Sequence, residues 1–213
     1  MDYREHDMLK IWGRKNSINV QKVLWACGEL GLAYDRIDAG MAFGVNNTPE
    51  YRAMNPNGLV PVINDDGFIL WESHAIVRYL ARRYGTGTLW PADDRSAADA
   101  DRWMDWYNTT LWPDLRPVFW NLVRTPPEKR DMALVKSCLR GLTANFQILD
   151  ATLAQQDYLG GSAFSMGDIP LGVAAFRWYS LDIERPALEN LDAWYARLCS
   201  RPAFQEHCMA ALT

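Results

Sequence analysis

Asn55-Pro56-Asn57-Gly58-Leu59-Val60-Pro61-Val62-Ile63-Asn64-Asp65-Asp66-Gly67-Phe68-Ile69-Leu70-Trp71-Glu72-Ser73 carries two short apolar runs on either side of a polar turn. Asp-Gly between such runs is a strong hairpin signal, because the tightest hairpin turn needs positive φ at both central positions. Val60–Ile63 and Phe68–Trp71 are therefore expected as antiparallel strands joined by Asn64–Gly67. Pro61 has no N–H to give to a ladder, so it belongs at a strand start. A cis Val60–Pro61 bond there would turn the Val60 N–H and C=O outward as an open edge. Glu72-Ser73 then opens a helix through Tyr84, with Ala75, Ile76, Tyr79 and Leu80 on one face.

Working back from the hairpin, Met8–Trp12 reads as a buried strand ended by Gly13, and Ile18–Leu32 repeats apolar residues at helical spacing. Tyr34–Ile37 reads as a second strand, which makes a right-handed βαβ unit with parallel strands. A loop over 40–47 precedes a short helix from Thr48, where Pro49 suits the first helical position. These pieces predict a four-stranded mixed sheet with helices over residues 8–84. Gly85-Thr86-Gly87-Thr88 and Pro91 mark a linker over 85–93. Beyond it, residues 94–213 carry only helical patterns. Ser96 to about Leu111 comes first, and Pro113 and Pro117 are expected to kink or end it. Lys129–Ala154 is long and amphipathic. Ser165 and Asp168 stand at capping-box spacing, with Phe164 and Ile169 as a hydrophobic staple. Leu188–Cys199 and Ala203–Leu212 close the chain.

Composition narrows the function. Of 213 residues 49% are hydrophobic and 23% charged, which is ordinary globular usage. A net charge of −4 gives no basic footprint for nucleic acid or an anionic membrane surface. No apolar run approaches the roughly 20 residues of a membrane helix. The polar opening, residues 1–7, lacks the apolar core of a secretory signal. Cys27, Cys138, Cys199 and Cys208 lie in helical stretches without metal-ligand spacing, so buried free thiols and a reducing, cytoplasmic setting are expected. Three histidines give neither a metal site nor a triad.

Three short segments carry chemistry. Ser73 opens a helix, whose free N–H groups and dipole make an anion site, and Glu72 beside it suits an ammonium. An extended peptide adding to the Val60 edge would place its terminal carboxylate on that helix. Asn16-Ser17-Ile18-Asn19 follows the first strand and opens the first helix, facing the middle of such a peptide. A thiol there meets the Ser17 hydroxyl, the Asn19 amide and the helix dipole, all of which favour the thiolate. Lowering a thiol pKa by about two needs about 2.7 kcal/mol. One or two hydrogen bonds to a charged group, at about 1.5–3 kcal/mol each, are enough. Further on, Trp112 and Arg116 flank Pro113 and are candidates for the wall of a second substrate pocket, whereas Trp103 and Trp106 read as core.

Asn16-Ser17-Ile18-Asn19, Asn55 to Pro61, and Glu72-Ser73 together resemble the three glutathione contacts of cytosolic glutathione transferases, and the Ser-x-Asn spacing resembles the bacterial theta-like and nu-like branches. The resemblance runs from Met8 to the C-terminus. It implies a thioredoxin-like N-terminal domain, an all-helical C-terminal domain and a homodimer. It also implies catalysis by Ser17 and Asn19, with Asn57, Val60, Pro61, Glu72 and Ser73 binding glutathione and Asp101 reaching the partner's glutathione. Trp112 and Arg116 would line the electrophile site, and no metal is implied. Glutathione would be the co-substrate and a hydrophobic electrophile its target, in the service of detoxification. The same site would serve a peroxidase or disulfide reductase, and a non-catalytic ligand-binding protein of this fold is the reading from another class. His74 stands where relatives carry Asn and is expected as a helix-face residue near an interface. Residues 1–7 have no counterpart in the family, which leaves Met8 as a candidate natural start.

Overall fold

The computed structural model describes residues 8–213; the polar opening lies outside them. β1 (Leu9–Trp12), α1 (Ile18–Glu29) and β2 (Tyr34–Ile37) form the expected βαβ unit with parallel strands. After α2 (Pro49–Met54), capped by Thr48, come β3 (Val62–Asp65), β4 (Phe68–Trp71) and α3 (Ser73–Tyr84). The sheet order is β2-β1-β3-β4, with β3 antiparallel to both neighbours and Ile63 opposite Ile11 and Leu70. The hairpin is tighter than expected. Asp65 pairs with Phe68, so only Asp66 and Gly67 form the loop, with φ of 51° and 86°. Both angles are positive, as a two-residue hairpin twisting with its strands requires. Asn64 Oδ1 accepts the Gly67 N–H at 2.8 Å and locks the turn. The Val60–Pro61 bond is cis and sits just ahead of β3.

From residue 94 on every regular element is helical. α4 (Asp94–Trp106) starts on an Asp93 side chain that accepts the Ser96 N–H. Of the two outcomes expected at Pro113, a kink or an end, the helix does not end there. It continues through a five-residue π segment (Tyr107–Leu111), α5 (Trp112–Phe119) and a second π segment (Trp120–Arg124). A proline lacks an N–H and crowds the carbonyl four residues back. Widening the turn moves the bonding by one residue, and Pro113 falls in the first turn of α5, where no donor is needed. α6 (Met132–Leu153), α7 (Asp168–Ser180), α8 (Glu189–Cys199) and α9 (Pro202–Cys208) follow. α9 stops short of the expected Leu212.

Only half of the expected capping box forms. Asp168 Oδ2 accepts the Ser165 N–H at 3.0 Å, but the Ser165 hydroxyl turns to the same carboxylate rather than to a helix N–H. Asp168 Oδ1 also takes the Leu159 N–H and the Trp194 Nε1–H, both at 2.9 Å.

The two parts share one core. Trp25 of α1 packs against Phe164 and Phe204 with ring centroids 5.4 and 4.6 Å away. Gly172 of α7 comes so close that a Cβ there would stand 2.7 Å from the Trp25 ring. Arg201, ahead of α9, forks onto Glu29 of α1 with bonds of 2.8 and 2.6 Å. Trp103 is buried, as expected of a core residue, while Trp106 is only partly covered. All four cysteines are free, but only Cys27 and Cys208 are buried; Cys138 and Cys199 are partly exposed.

Candidate functional site

Ser17 holds the N-cap position of α1, with extended backbone and its carbonyl accepting the Gln21 N–H. Its hydroxyl makes no capping bond to the helix. A serine at this position ordinarily turns its oxygen to the second or third N–H of the helix. Here the hydroxyl is left for something else. Ser17, Asn19, Val60, Trp112 and Arg116 line one cleft of about 340 Å³, where the start of α1 faces α5 and the loop before β3. Two chain segments more than 90 residues apart thus meet at the positions proposed for sulfur and for the electrophile wall. A larger groove of about 560 Å³ between α6 and residues 182–184 contains none of these residues, so size does not select the site.

The first turn of α3, expected as an anion site, does not line the Ser17 cleft. Glu72 occupies the N-cap with φ of 73° and an exposed side chain, and Ser73 is buried. A glutamate in left-handed backbone is uncommon and concentrates at ligand-gripping turns. Pro61 is buried beside the Val60 edge. Asn57 is not brought to the cleft: it is exposed, and its backbone and side-chain N–H groups go to Asn55 Oδ1. Asn55 of this loop is buried and donates to the Leu59 carbonyl at 2.9 Å. Asp101 is taken by its own chain, accepting from Arg78 Nε at 2.5 Å.

Three further arginines, Arg14, Arg124 and Arg177, join Arg116 around the cleft. Arg177 is 3% exposed and lies 3.8 Å over the Phe119 ring. Burial, with Arg124 and Arg14 nearby, pulls its guanidinium down to about 10. No Asp or Glu lines the cleft among the described residues. Behind Asn19 lies a second group that sequence reasoning missed. Lys22 is buried, and its amine meets Asn19 Oδ1 at 3.1 Å and His74 Nε2 at 3.0 Å. His74 is therefore interior rather than a helix-face residue near an interface, and burial first, then Lys22 and Arg78, push it down to about 2. Hydropathy hid Lys22, because a lysine reads as surface; its placement among apolar neighbours on α1 was the available signal.

Residues 16–83 match the family profile of the glutathione S-transferase N-terminal domain, and 112–202 that of the C-terminal domain. Glutathione S-transferase GstB of Escherichia coli is 44% identical over 204 residues, which is 95% of this chain and 98% of that one. The chain belongs to the glutathione S-transferase family. A crystal structure of the theta class glutathione S-transferase of Xanthomonas axonopodis pv. citri with glutathione bound superposes on this transferase with a TM-score of 0.93. The two are 51% identical, over 96% of this chain and 99% of the other. Maize glutathione S-transferase 3 is 30% identical over 93% of this transferase and 92% of its own length.

Proposed function

We propose that this transferase binds glutathione along the Val60 edge and holds its sulfur as a thiolate between Ser17 and Asn19, ready to attack an electrophile bound against Trp112 and Arg116. The observation that carries this reading is the Ser17 hydroxyl, which stands in the cleft and leaves its capping duty unfilled. On binding, the thiol proton passes to solvent. The O–H of Ser17 and an N–H of Asn19 then donate to the negative sulfur, with the α1 dipole behind them. The sulfur lone pair forms the new bond as the leaving group departs with its electrons. Little acid–base machinery is needed, because proximity and the raised thiolate fraction supply the rate. Glu72 and the first turn of α3 grip the γ-glutamyl group through its ammonium and carboxylate. The arginines around the cleft favour a co-substrate that carries negative charge, with Arg116 the most accessible of them.

None of the four cysteines lines the cleft, which favours sulfur chemistry on glutathione over a protein-borne thiol. A panel of a chloroarene, a hydroperoxide and a mixed disulfide separates conjugation from peroxidase and reductase turnover at this one site. A homodimer in the cytoplasm, with a detoxifying role, completes the reading, as do domains at 8–84 and 94–213 around the linker 85–93.

The test is Ser17→Ala with the ultraviolet absorbance of bound thiolate as readout. Removing a donor to the charged form raises the thiol pKa. Thiolate near neutral pH should therefore fall about tenfold, recovering at alkaline pH, with glutathione affinity little changed. An unmoved titration alongside a lower melting temperature would show that Ser17 serves the helix alone.

A further inference from the structure

Lys22 lies in the middle of α1, three residues after Asn19, and is 1% exposed. Among the described residues its amine makes no ion pair. It touches Asn19 Oδ1, His74 Nε2 and, 3.9 Å from the centroid, the Tyr107 ring. Burying an amine without a carboxylate costs free energy that an apolar side chain of the same length would not. Its contacts show what the cost secures. Asn19 has an amide whose two ends are nearly equal in size, so packing does not decide which end faces the cleft. Charge decides the consequence. The Nδ2 end donates to a thiolate and stabilises it, whereas Oδ1 repels it.

We propose that Lys22 is a positioning residue for the thiolate site: its N–H to Oδ1 holds the Asn19 carbonyl inward and presents the Nδ2 donor to sulfur. This rests on the reading that Asn19 meets the sulfur. His74 anchors the amine from the other side. Its neutral ring offers the Nε2 lone pair to Nζ, and it follows Ser73 in the first turn of α3. Asn19 at the cleft and the first turn of α3 are thereby joined through one chain of contacts, Asn19–Lys22–His74. The charged and titratable groups around that chain are Glu72 on the approach to α3, Tyr107 of the first π segment and Arg177 of α7 at Lys22, and Arg78 at His74. Burial and Arg177 lower the Lys22 pKa well below the usual lysine range, while Glu72 opposes them.

Four single variants at Lys22 and Asn19 and one double variant test this, each followed by thiolate absorbance of bound glutathione against pH, glutathione affinity by calorimetry, and melting temperature. Lys22→Met should leave about tenfold less thiolate near neutral pH at unchanged glutathione affinity and an undiminished melting temperature. Lys22→Gln keeps an N–H donor without the charge and should restore the parent titration. Asn19→Ala should reproduce the Lys22→Met shift, and combining the two should add nothing, because Lys22 acts through Asn19. A Lys22→Gln titration matching that of Lys22→Met would overturn the proposal in favour of a direct effect of charge, as would additive shifts in the double variant. If Asn19→Ala leaves the titration in place, the sulfur assignment of Asn19 fails and takes the proposal with it. If Lys22→Met alone leaves it in place, only the positioning role fails. Asn19→Asp leaves the buried position intact and has no N–H to offer, so it should also deplete thiolate even if the Lys22 variants do not fold; unchanged thiolate in that variant would likewise overturn the proposal.

Discussion

The residues around the cleft divide by what they do to a bound molecule. In the proposed reading Ser17 and Asn19, which line the cleft, act on charge at sulfur, whereas Glu72 and Ser73, outside its lining, grip the far end of the peptide and feel no change when sulfur reacts. Contacts that are equal in ground and transition states set affinity rather than rate. Glu72→Ala or Ser73→Ala should therefore raise the KM for glutathione about tenfold and leave kcat within about twofold. Steady-state kinetics at saturating electrophile checks this, and a fall in kcat with unchanged KM would place the anion site elsewhere. Legibility at this scale followed side-chain chemistry. Ser17, Asn19 and Trp112 were visible as polar or aromatic residues at element starts, Val60 as the residue before a strand-opening proline and Arg116 as a charge near Pro113, and they meet in one cleft. Lys22 and His74 were not, because their work depends on burial beside one another across 52 positions of sequence. Asn57 shows the converse. Its type and loop position suggested a contact, but Asn55 one turn back occupies its N–H groups.

At the scale of the element, the hairpin was legible because two residues, Asp66 and Gly67, leave a single tight geometry open. The long helix was not, because prolines carry a general penalty that says nothing of how a structure absorbs it. Pro113 follows a widened turn and Pro117 is held inside α5, and the consequence is local: the helix carrying Trp112 and Arg116 continues past the cleft. The start of α7 is the other element set by one side chain. Asp168 is fully buried, and burial raises its carboxyl from 3.8 to about 6 against the pull of its donors. Asp168→Ala strands the Leu159 N–H, the Ser165 N–H and the Trp194 indole, at about 1–3 kcal/mol each. It should cost at least about 3 kcal/mol in urea denaturation. The pH dependence has a definite sign. A carboxyl whose folded pKa is raised contributes stability that is complete below 3.8 and lost as pH rises through about 6. The melting temperature of the parent should therefore fall between pH 4 and pH 7 relative to Asp168→Asn, whose side chain does not titrate. Parallel profiles would show that the carboxylate is ionised throughout.

For the whole molecule, the sequence pointed to a homodimer partly through apolar residues around Trp103 and Met104. Both are buried within the chain itself and supply no free surface. On the β3–β4 hairpin Phe68 is half exposed next to Tyr79. A dimer joining that region to α4 of a second copy would bury it. Light scattering at micromolar concentration should give twice the 24.3 kDa of one chain, and Phe68→Asp should shift that mass toward the single chain. The seat of Trp25 between Phe164 and Phe204, hard against Gly172, reaches further than stability. Two halves that look separable along the sequence are held together by one packed seat. A hybrid gene joining this sheet to a relative's helices at the linker would set a foreign surface against Trp25, and a bulkier residue at the Gly172 position would leave the indole nowhere to go. Whole halves can be exchanged only if the residues around Trp25 travel with them.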